Sequence, residues 1–128
     1  MKMKFLGKLL VLMTVLQAPM AWGWGETHYA SLTTTSADSA AGLVYASRTD
    51  SIQTGSFGAS VGPVQSANVT AAVTMYAYAF PNFGYQFVGW KKQGDSNYSS
   101  EDAFYAPSLS PASNNGGIQA YTYYAYFI

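Results

Sequence analysis

Apolar and polar positions alternate along most of the chain, and helical periodicity is weak. The clearest example is NVTAAVTMYAYAF, residues 68–80, in which small and aliphatic residues alternate with threonines and aromatic residues. Successive side chains of a strand point to opposite faces of its sheet, so the run predicts one long strand. Its expected inner face consists of Val69, Ala71, Val73, Met75, Ala77 and Ala79, and its outer face of Thr70, Ala72, Thr74, Tyr76, Tyr78 and Phe80.

Shorter runs of the same kind predict further strands, which are residues 26–35, 42–47, 85–91, 103–105 and 118–128. The first two lie close together in sequence and are expected to form a hairpin. Residues 48–66 are rich in Gly, Ser and Thr and predict a long irregular connection, with Ile52, Phe57 and Val61 as anchors, although a loop of this length can contain a short strand. Five or six strands and no long helix indicate an all-β or β-dominated α+β domain.

The N-terminus has the pattern of a secretory signal peptide. Lys2, Lys4 and Lys8 precede a short apolar run from Leu9 to Leu16, and small residues follow it at Ala21 and Gly23. The run is shorter than the roughly 20 residues of a membrane-spanning helix. We therefore expect residues 1–23 to be removed and residues 24–128 to form a single exported module, with cleavage after Ala21 as the alternative.

Charge and cysteine content narrow the classes of partner. Residues 24–128 keep three basic and six acidic side chains, a formal net charge of −3. Nucleic acids and anionic membranes attract basic surfaces, so both are disfavoured as partners, and no membrane insertion is expected once the signal is removed. The chain has no cysteine, which excludes a lipoprotein anchor.

Candidate catalytic and metal-binding groups are sparse. His28 is the only histidine and is expected to fray near the mature N-terminus. Glu101 and Asp102 are adjacent, and neighbouring loop carboxylates usually point apart. A calcium site is the remaining alternative, because oxygen ligands at short spacing suit that ion; its ligands would be Asp95, Ser96, Asn97, Glu101 and Asp102. We predict no catalytic, cofactor-binding or metal-binding residue, and no enzyme activity.

Aromatic residues are the remaining candidates for function. Trp90 and the surrounding phenylalanines are expected in the core, whereas outward tyrosines offer contact area at low entropic cost. The candidate ligand or partner surface consists of Tyr76, Tyr78, Trp90, Tyr124 and Tyr126. Lys91 and Lys92 follow Trp90 at the rim of the predicted sheet.

The second half of the chain resembles the Listeria/Bacteroides repeat family, the internalin-B-type B repeats, in a divergent branch. The matching features are Pro81 after an alternating strand, the run GYQFVGW at residues 84–90, the turn residues Gly94-Asp95, and Tyr123, Ala125 and Phe127 in the closing strand. The likeness is strongest over residues 69–128. Lys91-Lys92, where the family has an aromatic residue, and the long insert before the last strand depart from the pattern.

The resemblance implies a small β-grasp-like module, with at most a short helix, in bacterial surface and secreted proteins. It implies a non-catalytic structural or adhesion unit of the cell envelope or secreted fraction, with an unknown protein or glycan as partner. A carbohydrate- or peptide-binding domain that uses surface tyrosines is the alternative function. Self-association, including exchange of the terminal strand Ile118 to Ile128, is a further expectation.

Overall fold

The computed structural model describes residues 25–50, 55 and 57–128, and the predicted signal peptide lies outside them. The described residues form nine strands and no helix, so the β-dominated class is confirmed. No helix able to cross a membrane is found in these residues. The strands are β1 (His28–Ser36), β2 (Gly42–Ser47), β3 (Gly58–Gln65), β4 (Val73–Thr74), β5 (Tyr76–Pro81), β6 (Phe87–Lys92), β7 (Phe104–Tyr105), β8 (Ser108–Leu109) and β9 (Gly117–Phe127). Six of them have at least six residues and three have two, whereas the sequence predicted five or six strands in all.

The strands form two main sheets. The first sheet has the order β3-β1-β9-β6, and the second sheet has the order β2-β5-β7. In the first sheet β9 runs parallel to β1 and antiparallel to β6, while β3 runs antiparallel to β1. Strands β4 and β8 form a separate short antiparallel pair.

The hydrophobic core contains residues of both main sheets. Leu32 of β1 and Trp90 of β6, from the first sheet, are fully buried, as is Val44 of β2 from the second. Alternation produces this core directly, because every second residue of each strand faces inward. On β5 the predicted inner positions Ala77 and Ala79 are buried, which confirms the parity expected for that part of the chain.

The predicted strand over residues 68–80 is divided in the structure. Val73–Thr74 pairs with Ser108–Leu109, whereas Tyr76–Pro81 pairs with β2 and β7. Met75 lies between the two segments and is fully buried, and its amide donates to the carbonyl of Pro107. The single long strand was therefore wrong. Alternation fixes which side of a strand faces inward, but it does not show that one run contributes to two sheets.

The predicted hairpin of the first two strands was also wrong. Gly42–Ser47 has the expected bounds, but it pairs with Tyr76–Pro81 in the second sheet, while His28–Ser36 belongs to the first. The short turn near Asp38 thus carries the chain from one sheet to the other. Local turn residues indicate a reversal of direction, and tertiary packing decides between a hairpin and a crossing between sheets.

Residues 48–66 contain the eight-residue strand β3, where a mainly irregular connection was expected. Val61 packs against the core as predicted, whereas Phe57 is 60% exposed and is not an anchor. Ile52 lies outside the described residues. Strand β3 lies at the edge of its sheet, and its high content of small and turn-forming residues hid it from the sequence pattern.

His28 begins β1 and is held firmly, contrary to the expectation that it frays. Its side chain is 5% exposed; Nδ1 donates to the carbonyl of Ala112 at 2.8 Å, and Nε2 lies 3.2 Å from a carboxylate oxygen of Glu26. The parallel partner strand β9 pairs Gly117 with His28 and holds this end of β1 in the sheet. Closeness to the predicted cleavage site was therefore a poor guide to the order of His28.

Candidate functional site

Two of the five predicted surface aromatics are buried. Trp90 is fully buried between the sheets, and its indole Nε1 donates to the carbonyl of Asp102 at 3.1 Å. Tyr78 is only 4% exposed. Neither side chain can meet a ligand, so the predicted surface that included them is corrected. For Trp90 the structure agrees with the core interpretation.

Tyr78 is buried on the outer face of the second sheet, where other parts of the chain cover it. Its ring stacks on Phe104 of the neighbouring strand at 4.9 Å and on Phe80 at 6.5 Å. Gly55 lies in the connection between β2 and β3, close to Phe80 and Leu43. A β-carbon at Gly55 would be 2.5 Å from the Phe80 ring. The connection after β2 therefore contributes to the cover of this aromatic face.

Tyr76 lies on the same outer face of the second sheet as Tyr78, away from Tyr124 and Tyr126. Its ring stacks on Phe104 at 5.8 Å with an interplanar angle of 9°. The side chain of Tyr76 is half-buried, and that of Phe104 is 48% exposed. The predicted set is therefore divided between the outer faces of the two sheets and, for Trp90, the core, and it does not form one surface.

Tyr124 and Tyr126 lie on the outer face of the first sheet, as the alternation predicted. Their neighbours Ala125 and Phe127 face the core, where Ala125 is fully buried. Lys91 of β6 lies directly across from Tyr124. Because directly opposed residues of paired strands share a face, the Lys91 side chain belongs to the same outer surface.

The loop after β6 adds a fourth residue to this surface. Gly94, with φ of +92°, lies in the turn that follows β6, and the amide of Asp95 donates to the carbonyl of Lys92 there. The chain then returns alongside β6, where the amide of Ser99 donates to the carbonyl of Trp90 and the amide of Trp90 donates to that of Ser100. These two backbone hydrogen bonds form an extra rung beside β6, and they bring Tyr98 onto the outer face.

Gly89 provides the space that Tyr98 occupies. Gly89 pairs with Tyr126 across the sheet, and an added β-carbon would lie 2.5 Å from Cδ1 of Tyr98. A glycine inside a strand often marks the close approach of another group. Sequence reasoning missed Tyr98, which lies in a polar loop, and the interior glycine of the GYQFVGW run was the available signal for it.

We call Lys91, Tyr98, Tyr124 and Tyr126 the lysine–tyrosine platform. The ammonium nitrogen of Lys91 lies 4.9 Å from the ring centroid of Tyr98 and 4.9 Å from that of Tyr126. The two rings meet edge to face, with centroids 6.1 Å apart. Attraction between a cation and the negative face of an aromatic ring contributes about 0.5–1 kcal/mol at exposed sites. The lysine is therefore positioned by the two tyrosines.

Lys92 has a different environment from Lys91. It pairs with Tyr123, whose side chain faces the core side, and its ammonium lies 6.0 Å from the ring of Tyr121. Burial, with Tyr105 close by, raises the pKa of Tyr123 well above its ordinary value. The two consecutive lysines thus lie on opposite sides of the first sheet, and only Lys91 belongs to the platform.

The other candidate groups do not converge on a reactive centre in the structure. Both ring nitrogens of His28 contact protein oxygens, and the exposed Glu101 and Asp102 lie in the loop after β6. The backbone carbonyl of Asp102 accepts the Trp90 hydrogen bond, which is a structural role. Over residues 25–50, 55 and 57–128, no group of three or more His, Cys, Asp or Glu side chains is arranged to hold a metal ion.

Comparisons with protein-family models, with curated proteins and with solved structures gave no match to this chain. The likeness to Listeria/Bacteroides repeats therefore stays a prediction from the residues that carry it. What the geometry itself establishes is a β-dominated domain of two packed sheets, with a platform of three tyrosines and one lysine on the outer face of the first.

Proposed function

We propose that this chain is a non-catalytic, exported module of the bacterial cell envelope or secreted fraction that acts as a structural or adhesion unit. The observation that carries the proposal is the lysine–tyrosine platform, an accessible aromatic surface on a sheet whose other face is tightly packed. Aromatic residues on a rigid element offer contact area with little loss of entropy on binding. The signal-peptide pattern of residues 1–23 supports export.

The proposal includes a β-grasp-like arrangement of the strands in the first sheet. In β-grasp sheets the first and last strands lie side by side in parallel at the centre, each flanked by an antiparallel strand. Strands β1 and β9 are paired in this way, with β3 and β6 at the two edges. The second sheet covers the face on which a β-grasp domain carries its helix. This order supports the proposed relationship to the repeat family.

A carbohydrate- or peptide-binding domain is the second candidate function, and a specific observation favours it. Tyr98, Tyr124 and Tyr126 surround a lysine on the outer face, whereas a simple spacer has no need for a cation held between two aromatic rings. The two candidates are compatible when the adhesion unit recognises its surface partner through this platform. They differ in whether isolated ligands bind in a saturable manner.

Export is tested with the full chain carrying a C-terminal epitope tag in a bacterial host. Fractionation followed by N-terminal sequencing is expected to find the protein outside the cytoplasm, beginning at Trp24, or at Trp22 if cleavage follows Ala21. A chain that stays in the cytoplasm with Met1 or Lys2 at its N-terminus would contradict the export half of the proposal.

Adhesion is tested separately, with the purified protein immobilised on beads and presented to cell surfaces and glycan arrays. Saturable binding that Tyr124→Ala and Tyr126→Ala abolish supports recognition through the platform. Binding that is absent in every assay leaves a structural unit as the function. A hydrolytic activity that survives purification and disappears in Glu101→Ala would contradict the non-catalytic assignment.

A further inference from the structure

Within the part of the chain that the structure describes, the ammonium group of Lys91 forms no ion pair. All six acidic side chains of the protein lie within the described ranges, and the ion pair found there joins Glu26 to His28. Lys91 is held instead by the ring faces of Tyr98 and Tyr126, at 4.9 Å from each centroid. A half-buried cation that is fixed by neutral rings keeps its capacity to attract an anion.

Hydroxyl groups extend the same outer face away from the lysine–tyrosine platform. Thr35 of β1 lies directly across from Tyr124, and Thr33 lies across from Thr122 of β9. The hydroxyl of Thr33 is within 3.1 Å of that of Ser60 on β3. The outer face therefore combines one cation, three tyrosines and short hydroxyl side chains on a surface formed by four adjacent strands.

From this combination we propose that the platform binds an acidic polysaccharide that contains hexuronic acid units. The inference rests on the second candidate function and names its ligand class. The carboxylate of a uronate pairs with the Lys91 ammonium, the C–H face of a sugar ring packs on Tyr124 or Tyr126, and sugar hydroxyls meet the threonine hydroxyls. Each chemical component of the surface then has a counterpart in the ligand.

A densely charged polyanion fits this surface less well. Lys91 is the one cation of the platform, and residues 24–128 carry a formal net charge of −3. Nucleic acids need several lysines or arginines to neutralise their phosphates. A polysaccharide with one carboxylate per sugar unit places a single charge beside Lys91 and neutral hydroxyls elsewhere along the face.

An acidic peptide also fits less well, because the adjacent sheet edge is occupied. Extended peptides commonly bind by adding a strand to a free edge. Next to Lys91 the backbone of Trp90 already pairs with Ser99 and Ser100 through hydrogen bonds of 2.7 and 2.8 Å. The platform offers side chains on a flat face, which suits rings that stack better than it suits a backbone that pairs.

Isothermal titration of the purified protein with a galacturonate hexamer tests the inference. The matched probe is the same hexamer with its carboxylates reduced to alcohols, and hexaglutamate represents an acidic peptide. We expect the galacturonate hexamer to bind at least about tenfold more tightly than either of the other two probes, because the reduced hexamer lacks the carboxylate that pairs with Lys91 and hexaglutamate lacks sugar rings that pack on the tyrosines.

Single substitutions test which lysine recognises the carboxylates of the ligand. Lys91→Gln is expected to remove the difference between the acidic and reduced hexamers, while Lys92→Gln, whose side chain lies on the other side of the sheet, leaves it within about twofold. Tyr126→Leu is expected to weaken both hexamers. Circular dichroism melting curves that match the wild-type protein show that each variant is folded.

The outcomes separate this inference from the function on which it rests. Equal binding of the acidic and reduced hexamers overturns the acidic ligand and leaves carbohydrate binding standing. Stronger binding of hexaglutamate overturns the sugar class. Absence of binding to both hexamers overturns the inference, and if the glycan arrays described above are also negative, the carbohydrate-binding candidate fails with it.

Discussion

The ring of Tyr98 lies over Gly89, and an alanine at position 89 would place its β-carbon 2.5 Å from Cδ1 of that ring. The same β-carbon would lie 3.0 Å from the carbonyl oxygen of Ser100. The tyrosine ring can rotate away, but the backbone carbonyl belongs to the extra rung beside β6. This single glycine therefore links the sheet to the loop that completes the lysine–tyrosine platform.

We predict that Gly89→Ala destabilises the protein by about 1–3 kcal/mol, the usual cost of overpacking a filled site. Denaturant unfolding measures the change in free energy. Gly58→Ala is the matched control, because a β-carbon there would meet its nearest backbone atom, the Thr34 carbonyl oxygen, at 3.6 Å, an ordinary contact. Equal effects of the two substitutions would contradict the close packing of Tyr98 on Gly89.

A second prediction compares two aromatic side chains with opposite exposure. Trp90 is fully buried and Phe83, at the tip of the turn between β5 and β6, is fully exposed. Trp90→Ala is expected to cost about 3–5 kcal/mol by leaving a cavity, and it also removes the Nε1 hydrogen bond to Asp102. Phe83→Ala is expected to change stability by no more than about 0.5 kcal/mol. Thermal or denaturant unfolding of both variants checks the contrast, which fails if Trp90→Ala is as stable as the wild-type protein.

A third prediction concerns two tyrosine hydroxyls with opposite roles. Among the described residues the buried hydroxyl of Tyr78 has no hydrogen-bond partner, whereas that of Tyr121 donates to the carbonyl of Ser110 at 2.8 Å. Tyr78→Phe removes an uncompensated polar group and is expected to stabilise the protein by about 1 kcal/mol. Tyr121→Phe is expected to destabilise it by about 0.5–1.5 kcal/mol. The unfolding free energies of the two variants should therefore move in opposite directions, and a loss of stability in Tyr78→Phe would contradict the placement of its hydroxyl.

A fourth prediction concerns alkaline pH. Burial raises the pKa of Tyr123 well above the value near 10 of an exposed tyrosine. Above about pH 10 the unfolded chain loses this proton while the folded protein keeps it, so the stability that Tyr123 contributes decreases as pH rises and is unaffected below that pH. Denaturant unfolding between pH 8 and pH 11 measures the decrease. Tyr123→Phe should reduce its slope, and an unchanged slope would contradict the burial of this hydroxyl.

Sequence pattern predicted the local elements of this fold better than their partners. The bounds of β2 and the inward parity of Ala77 and Ala79 follow from alternation within a single run. Pairing depends on contacts far apart in sequence, such as the parallel alignment of β1 with β9, and turn residues alone gave the wrong hairpin. The break at Met75 was equally hidden, since both halves of the run keep the same alternation.

The candidate site was predicted only in part. Alternation placed Tyr124 and Tyr126 on the face opposite Ala125, and the structure agrees. Tyr78 was misplaced because its outer face is covered by Phe104 and the connection that contains Gly55. Burial of this kind depends on tertiary contacts that a strand pattern does not contain. Tyr98 was missed for the same reason, since backbone hydrogen bonds between Trp90 of β6 and the loop residues Ser99 and Ser100 bring it to the platform.

Nuclear magnetic resonance titration with the galacturonate hexamer tests the central claim, that the lysine–tyrosine platform is the binding surface. The account predicts that the largest chemical-shift changes occur at the Lys91 side chain and at the rings of Tyr98 and Tyr126, and that they saturate. Changes confined to the outer face of the second sheet, around Tyr76 and Phe104, or no change at the platform at saturating hexamer would contradict it.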